Sequence, residues 1–143
     1  MASCITEPAN VAVALAKVLL VDDDPASRLA LQTVLQAGGY EVDSAASSAE
    51  AISKLDENEY ELVLTDLGME SPEAGLRVLA HARIVSYKPA AALICTSMEQ
   101  SGSDHRDEPM IISSEDVPEF LTQVADLIGN RASRIVARSL RHL

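Results

Sequence analysis

The chain has 143 residues, 48% of them hydrophobic and 23% charged, with three Tyr, one Phe and no Trp. That length suits one domain with an aliphatic core, and so few aromatics exclude a stacking platform for single-stranded nucleic acid. A formal net charge of −11 argues against nucleic acid as the partner of the whole chain.

The charge is uneven, because residues 130–143 hold four Arg and no acid. Cys4 and Cys95 show neither metal spacing nor a disulfide framework. Cys95 sits in an apolar run and reads as a small buried hydrophobe, which fits a reducing cytoplasm. The apolar stretch from Asn10 to Val21 is broken by Lys17 and preceded by Glu7, so it reads as neither a signal peptide nor a membrane span. The expectation is a soluble cytoplasmic protein with no membrane partner.

Residues 1–16 read as an N-terminal extension, either an extra edge segment or a helical arm, with Val11, Val13 and Leu15 alternating with alanines. Lys17 to Val21 is a first strand, ended by Asp22, Asp23 and Asp24. Asp24 is placed to cap a helix whose first turn holds Pro25. Ala26, Leu29, Ala30, Val34 and Ala37 recur at helical spacing, and Gly38-Gly39 ends that helix. Tyr40 to Ala45 is a second strand. Ser47 with Glu50 three later matches a capping box, opening a helix that runs to about Asp56–Glu59. Leu62 to Asp66 is a short apolar strand that stops at a carboxylate, and Gly68 lies two residues on. Glu70, Ser71 and Pro72 read as loop, Leu76 to Ile84 as a third helix, and Ala91 to Thr96 as a fourth strand. Ser97 to Pro109 has Met98 as its one apolar residue and no amphipathic pattern, so it is expected to be the most mobile internal segment. Met110 to Ile112 make a minimal fifth strand. Asp116 and Glu119 start a last helix that Gly129 is expected to stop. The domain so bounded is 17–129, followed by a basic helical extension over 130–143.

Strands alternating with helices imply parallel pairing and right-handed crossovers, hence a three-layer α/β/α sandwich. Length and five strands suit the flavodoxin-like order 2-1-3-4-5, with the helix after strand four short or missing. In that order strands one and three are neighbours. Asp22, Asp23 and Asp66 then converge at the carboxyl edge of the sheet, and Thr96 joins them from strand four. Three adjacent carboxylates repel, and a hard divalent cation relieves that repulsion. Mg²⁺ suits one or two carboxylates, waters and phosphate oxygens, whereas zinc has no His or Cys cluster to bind. Asp66 is placed as a nucleophile forming an aspartyl-phosphate, with the Thr96 hydroxyl on a phosphoryl oxygen. The bland alternative for Asp22 to Asp24 is a helix cap and a solvated turn, but a cap needs one acid.

The motifs VLLVDDDPASR at 18–28, LVLTDLGM at 62–69 and ALICTS at 92–97 resemble the receiver domain of two-component response regulators, the CheY-like family. The resemblance covers about 17–129. It implies Asp22 and Asp23 as the acid pair, Asp66 as phosphoacceptor, the Gly68 main-chain carbonyl as a further Mg²⁺ ligand, and Thr96 as the switch hydroxyl. It implies a histidine kinase or phosphotransfer protein as phosphodonor and an output protein that the sequence does not name. A homodimer fits the sequence as well. The family does no chemistry on a separate substrate, so the chain is expected to be a signalling phosphoacceptor rather than an enzyme.

The departures from the family pattern are equally specific. Ser113 stands where the family has a Lys, and Met110 where it has an aromatic switch residue. Arg106 or His105 is a candidate substitute cation. Glu70 follows Met69 where a Pro is usual. The rival to a phosphorelay receiver is therefore a pseudo-receiver, a constitutive protein-interaction module without phospho-switching. A related metal-dependent phosphatase is disfavoured, because Gly68 occupies the position of its second acid. Arg131, Arg134, Arg138 and Arg141 lie on one helical face, read as a solvated extension of the last helix in preference to a remnant DNA-binding region.

Overall fold

Aliphatic runs buried on both sides form the centre of the fold. The computed structural model describes residues 15–66, 69, 71–95 and 111–141. Its elements are β1 (Lys17–Val21), α1 (Pro25–Ala37), β2 (Glu41–Ala45), α2 (Ser48–Glu57), β3 (Leu62–Asp66), α3 (Pro72–Ile84), β4 (Ala90–Cys95), β5 (Ile111–Ser113) and α4 (Val117–Arg141). All neighbouring strands are parallel, in the expected order β2-β1-β3-β4-β5. Among the described residues no helix is long and apolar enough to cross a membrane.

Side-chain alternation along the strands divides the core in two. Val18, Leu20, Leu62, Leu64, Ala92 and Ile94 meet Leu31 and Leu35 of α1 and Phe120 and Val124 of α4. On the other face Leu19, Val21 and Val63 meet Ala51 and Leu55 of α2 and Ala74, Val78 and Ala82 of α3. Each fully buried Leu, Ile or Val contributes about 1.5–3 kcal/mol, so β1 and β3, buried on both faces, are the anchor on which the site rests.

The caps are those the sequence implies. Asp24 accepts a hydrogen bond from the Ser27 amide at 3.1 Å. Gly39, at φ +100°, turns the chain after α1 in a conformation that disfavours a side chain. Ser47 Oγ accepts from Glu50 N at 3.1 Å, while the Glu50 carboxylate reaches back to Ala46 N at 2.9 Å.

Five boundaries differ from the sequence pattern, the slightest being β2, which starts at Glu41 rather than Tyr40. Pro72 is not loop but the first residue of α3, where its fixed φ and missing N–H do no harm. β4 starts at Ala90, whose amide donates to Glu61 O at 2.9 Å. β5 runs to Ser113, because the ladder with β4 continues to the Cys95–Ser113 pair. Gly129 does not stop the last helix, and α4 continues to Arg141. A mid-helix Gly costs about 1 kcal/mol relative to Ala. Leu127 and Ile128 pack on the core just before it. Just after it, Arg131 donates to Lys88 O at 2.9 Å and to Tyr87 O at 2.7 Å. Those contacts outweigh the glycine. Arg131 is thus docked on the turn before β4 rather than solvated. The expectations for residues 1–14 and for Ser97 to Pro109, including Arg106, His105 and the short or missing helix, lie outside the described residues.

Candidate functional site

Asp22 is the best-held of the three acids. Its amide continues the β1–β2 ladder by donating to Ala45 O at 3.0 Å. Its Oδ1 accepts from Asp24 N at 3.0 Å, and its main-chain carbonyl accepts from Arg28 at 2.8 Å. The side chain is fully buried, yet its Oδ2 has no hydrogen-bond partner. Leaving a carboxylate oxygen buried and unpaired is costly, and two more acids lie close to this side chain.

Those acids are Asp23, exposed on the following residue, and Asp66, half-buried at the end of β3. One carboxylate oxygen from each of Asp22, Asp23 and Asp66 lies within 4.8 Å of the others. The convergence follows from topology: β1 and β3 are paired in register from Val18–Leu62 to Val21–Thr65, so the residues that follow each strand emerge side by side. The donor set is all oxygen, which fits Mg²⁺ rather than a thiophilic metal. The orphaned Oδ2 of Asp22 is the atom such a cation would satisfy.

The sequence pattern alone does not single out Arg28. It lies in the first turns of α1 and grips the Asp22 carbonyl, placing a guanidinium beside the acids. Its position four residues after the capping Asp24 is the signal that would have found it. Ser113 ends β5, two strands away from β3, and its Oγ accepts from Glu115 N at 3.2 Å. Its hydroxyl is engaged in its own turn. Gly68, Thr96 and Met110 lie outside the described residues. Thr96 directly follows Cys95, the last residue of β4.

Comparison with known proteins agrees with this architecture. A family model described as the response regulator receiver domain matches residues 18–128. A transcriptional regulatory protein of Haemophilus influenzae, a CpxR homolog, is 39% identical over 79 residues, covering 55% of this chain and 34% of that protein. A protein-glutamate methylesterase/protein-glutamine glutaminase of Rhodospirillum rubrum is 29% identical over 120 residues, covering 83% of this chain and 31% of that protein. The chain thus spans about a third of the length of these curated relatives. Among solved structures, the Thermotoga maritima response regulator TrrA in complex with Mg(2+)-BeF is 27% identical with a TM-score of 0.65, over 79% of this chain and 99% of that one.

Proposed function

We propose, for a chain that belongs to the response regulator receiver family, that it accepts a phosphoryl group on Asp66 and signals through altered protein–protein binding. The observation that carries this reading is the convergence of Asp22, Asp23 and Asp66 around a buried, unpartnered carboxylate oxygen. The donor is a histidine kinase or a phosphotransfer protein. An oxygen of Asp66 attacks phosphorus and forms an acyl phosphate as the phosphorus–nitrogen bond of the donor phosphohistidine breaks, and the released imidazole takes up a proton. Asp22, Asp23 and Asp66 would hold Mg²⁺. When bound, it supplies positive charge against the phosphoryl oxygens. Asp22, fixed by Asp24 N and by Arg28, keeps the acid pair in place, and Arg28 offsets part of the crowded negative charge. By resemblance, the Gly68 carbonyl completes the Mg²⁺ ligands and Thr96 binds a phosphoryl oxygen.

The test is incubation with acetyl phosphate and Mg²⁺. The wild-type chain is expected to incorporate phosphate and the Asp66→Asn chain none. Incorporation that survives Asp66→Asn would remove Asp66 as nucleophile.

A second reading, the pseudo-receiver, is favoured by Ser113. A Lys there would give the phosphoryl group a charged hydrogen bond of roughly 1.5–3 kcal/mol. Ser is shorter, uncharged, and here occupied with Glu115 N. Shift changes in NMR spectra on adding a phosphoryl mimic are therefore expected near Asp22 and Asp66 and to fade before Phe120. No response at Asp22 and Asp66 would favour the pseudo-receiver. A full-size response through α4 would show that the chain switches without the Lys.

A further inference from the structure

Gly129 lies in the middle of α4 and is exposed. A Cβ there would meet nothing within 4 Å among the described residues, so the fold of one chain does not require a glycine. It belongs to an apolar face distinct from the one that Phe120, Val124 and Leu127 turn to the core. Leu121, Ala125, Gly129, Ala132, Val136 and Leu140 follow one another at steps of four, four, three, four and four, the spacing of one helical face. Leu121 is partly buried and the other five are exposed, Val136 to 56% and Leu140 to 61%.

This face has the same spacing in both directions. Leucines end it, and Gly129 and Ala132 flank its midpoint at Asn130 and Arg131. Two copies of α4 laid antiparallel about that midpoint are therefore self-complementary. Leu121 falls opposite Leu140, Ala125 opposite Val136, and Gly129 opposite Ala132. The small residues at the centre let the two helix axes come to the near end of the packing range, which gives the glycine a use.

Charge selects the same direction. The acids of α4, Glu119 and Asp126, precede Gly129, and its arginines all follow it. Arg131 is engaged with the Tyr87 and Lys88 carbonyls. Glu119, Asp126, Arg134 and Arg138 form no ion pair among the described residues. Antiparallel pairing sets the acidic half of each helix against the basic half of the other, with Asp126 opposite Ile135, between Arg134 and Arg138. Parallel pairing would set each arginine beside its own copy, with no acid in 130–143 to offset it.

We propose that the chain forms a two-fold homodimer in solution through antiparallel pairing of α4 along the Leu121 to Leu140 face. The length of the contact supports this register. Ala132 to Leu140 alone is about 12 Å long, too short to bury the roughly 1,200 Å² at which stable interfaces begin. The full face runs about 28 Å. This inference is independent of phosphorylation at Asp66.

The experiment uses the full chain. Light scattering is expected to show the mass rising towards twice that of the monomer as concentration increases. Gly129→Leu favours the helix and meets open space within one chain. It should nevertheless raise the dimer dissociation constant by about tenfold, through overpacking at the close helix contact, with no loss of helix by circular dichroism. In a Cys4→Ser background, Cys95 being buried, Ala125→Cys and Val136→Cys chains are then mixed with an added oxidant. The two should cross-link with each other severalfold faster than either does with itself. A monomer at every concentration would overturn the proposal. So would a Gly129→Leu chain that dimerises like the wild type. Val136→Cys chains that link chiefly to themselves would overturn it too, since the helices would then be parallel.

Discussion

The two edges of the sheet handle polar side chains in opposite ways. At the carboxyl edge, Asp22 is buried with one oxygen unpartnered and two more acids beside it. At the amino edge several long-range polar pairs form among the described residues. Asp43 Oδ2 accepts from Tyr60 at 2.8 Å with Lys17 Nζ 3.8 Å away. Glu61 accepts from Lys17 N at 2.6 Å, Tyr87 donates to Leu55 O at 2.8 Å, and Arg131 closes the turn before β4. An unpaired buried acid costs stability and is kept where a ligand can satisfy it, whereas paired groups hold the fold together. The same kind of small edit should therefore have opposite signs at the two edges.

The largest expected effect is at Asp22. Asp22→Asn keeps the acceptor for Asp24 N, removes one charge from the cluster, and turns the orphaned acceptor into a donor with carboxylates close by. We expect Mg²⁺ affinity to fall about a hundredfold, or roughly 2.7 kcal/mol. The metal-free chain should become more stable by about 1 kcal/mol. Calorimetric Mg²⁺ titration and urea denaturation measure the two sides. A metal-free chain that loses stability would erase the contrast between the edges.

Arg131→Ala sharpens the contrast from the other side. It removes a cation that bonds two main-chain carbonyls, and about 2 kcal/mol of stability should go with it. Labelling of Asp66 by acetyl phosphate should be unchanged. Helicity should also fall, because the turns after Gly129 lose their one anchor among the described residues. Thermal denaturation followed by circular dichroism reads both. A drop in labelling equal to the drop in stability would mean that the edges are not separable.

The difference between the edges also explains what the sequence made legible. Strands such as VLLV and LVLTD announce themselves, because burial on both faces demands unbroken aliphatic runs. Given the strand order, Asp22, Asp23 and Asp66 fall together without knowledge of any side-chain rotamer. The amino edge has no such signature. Tyr60 with Asp43, and Arg131 with Tyr87 and Lys88, are partners 17 to 44 residues apart, chosen by packing that local patterns do not encode. Gly129 misled for the same reason: its local preference for ending a helix is real, but contacts from distant residues decide.

The smallest effect tests the amino edge alone, through pH. Burial raises the pKa of Tyr60, and its hydrogen bond to Asp43 adds to the shift. Burial, followed by the charges of Glu59 and Asp56, pushes Tyr87 up to about 12 from the usual 10.0. A raised folded-state value means that the folded chain keeps a proton that the unfolded chain has already lost. The stabilisation is therefore complete below pH 10, and it is lost as pH climbs from there through about 12. Tyr60→Phe removes one hydrogen bond and should cost about 1 kcal/mol near neutrality. Because the variant has no phenol to ionise, the penalty should shrink as pH rises above 10, and its stability curve should converge on the wild type. Asp43 keeps Lys17 as a neighbour in the variant, so the acid is not stranded. Urea denaturation from about pH 8 upward follows the convergence. Parallel curves would mean that Tyr60 contributes by packing alone, and that the amino edge is held by its apolar contacts rather than by its paired polar groups.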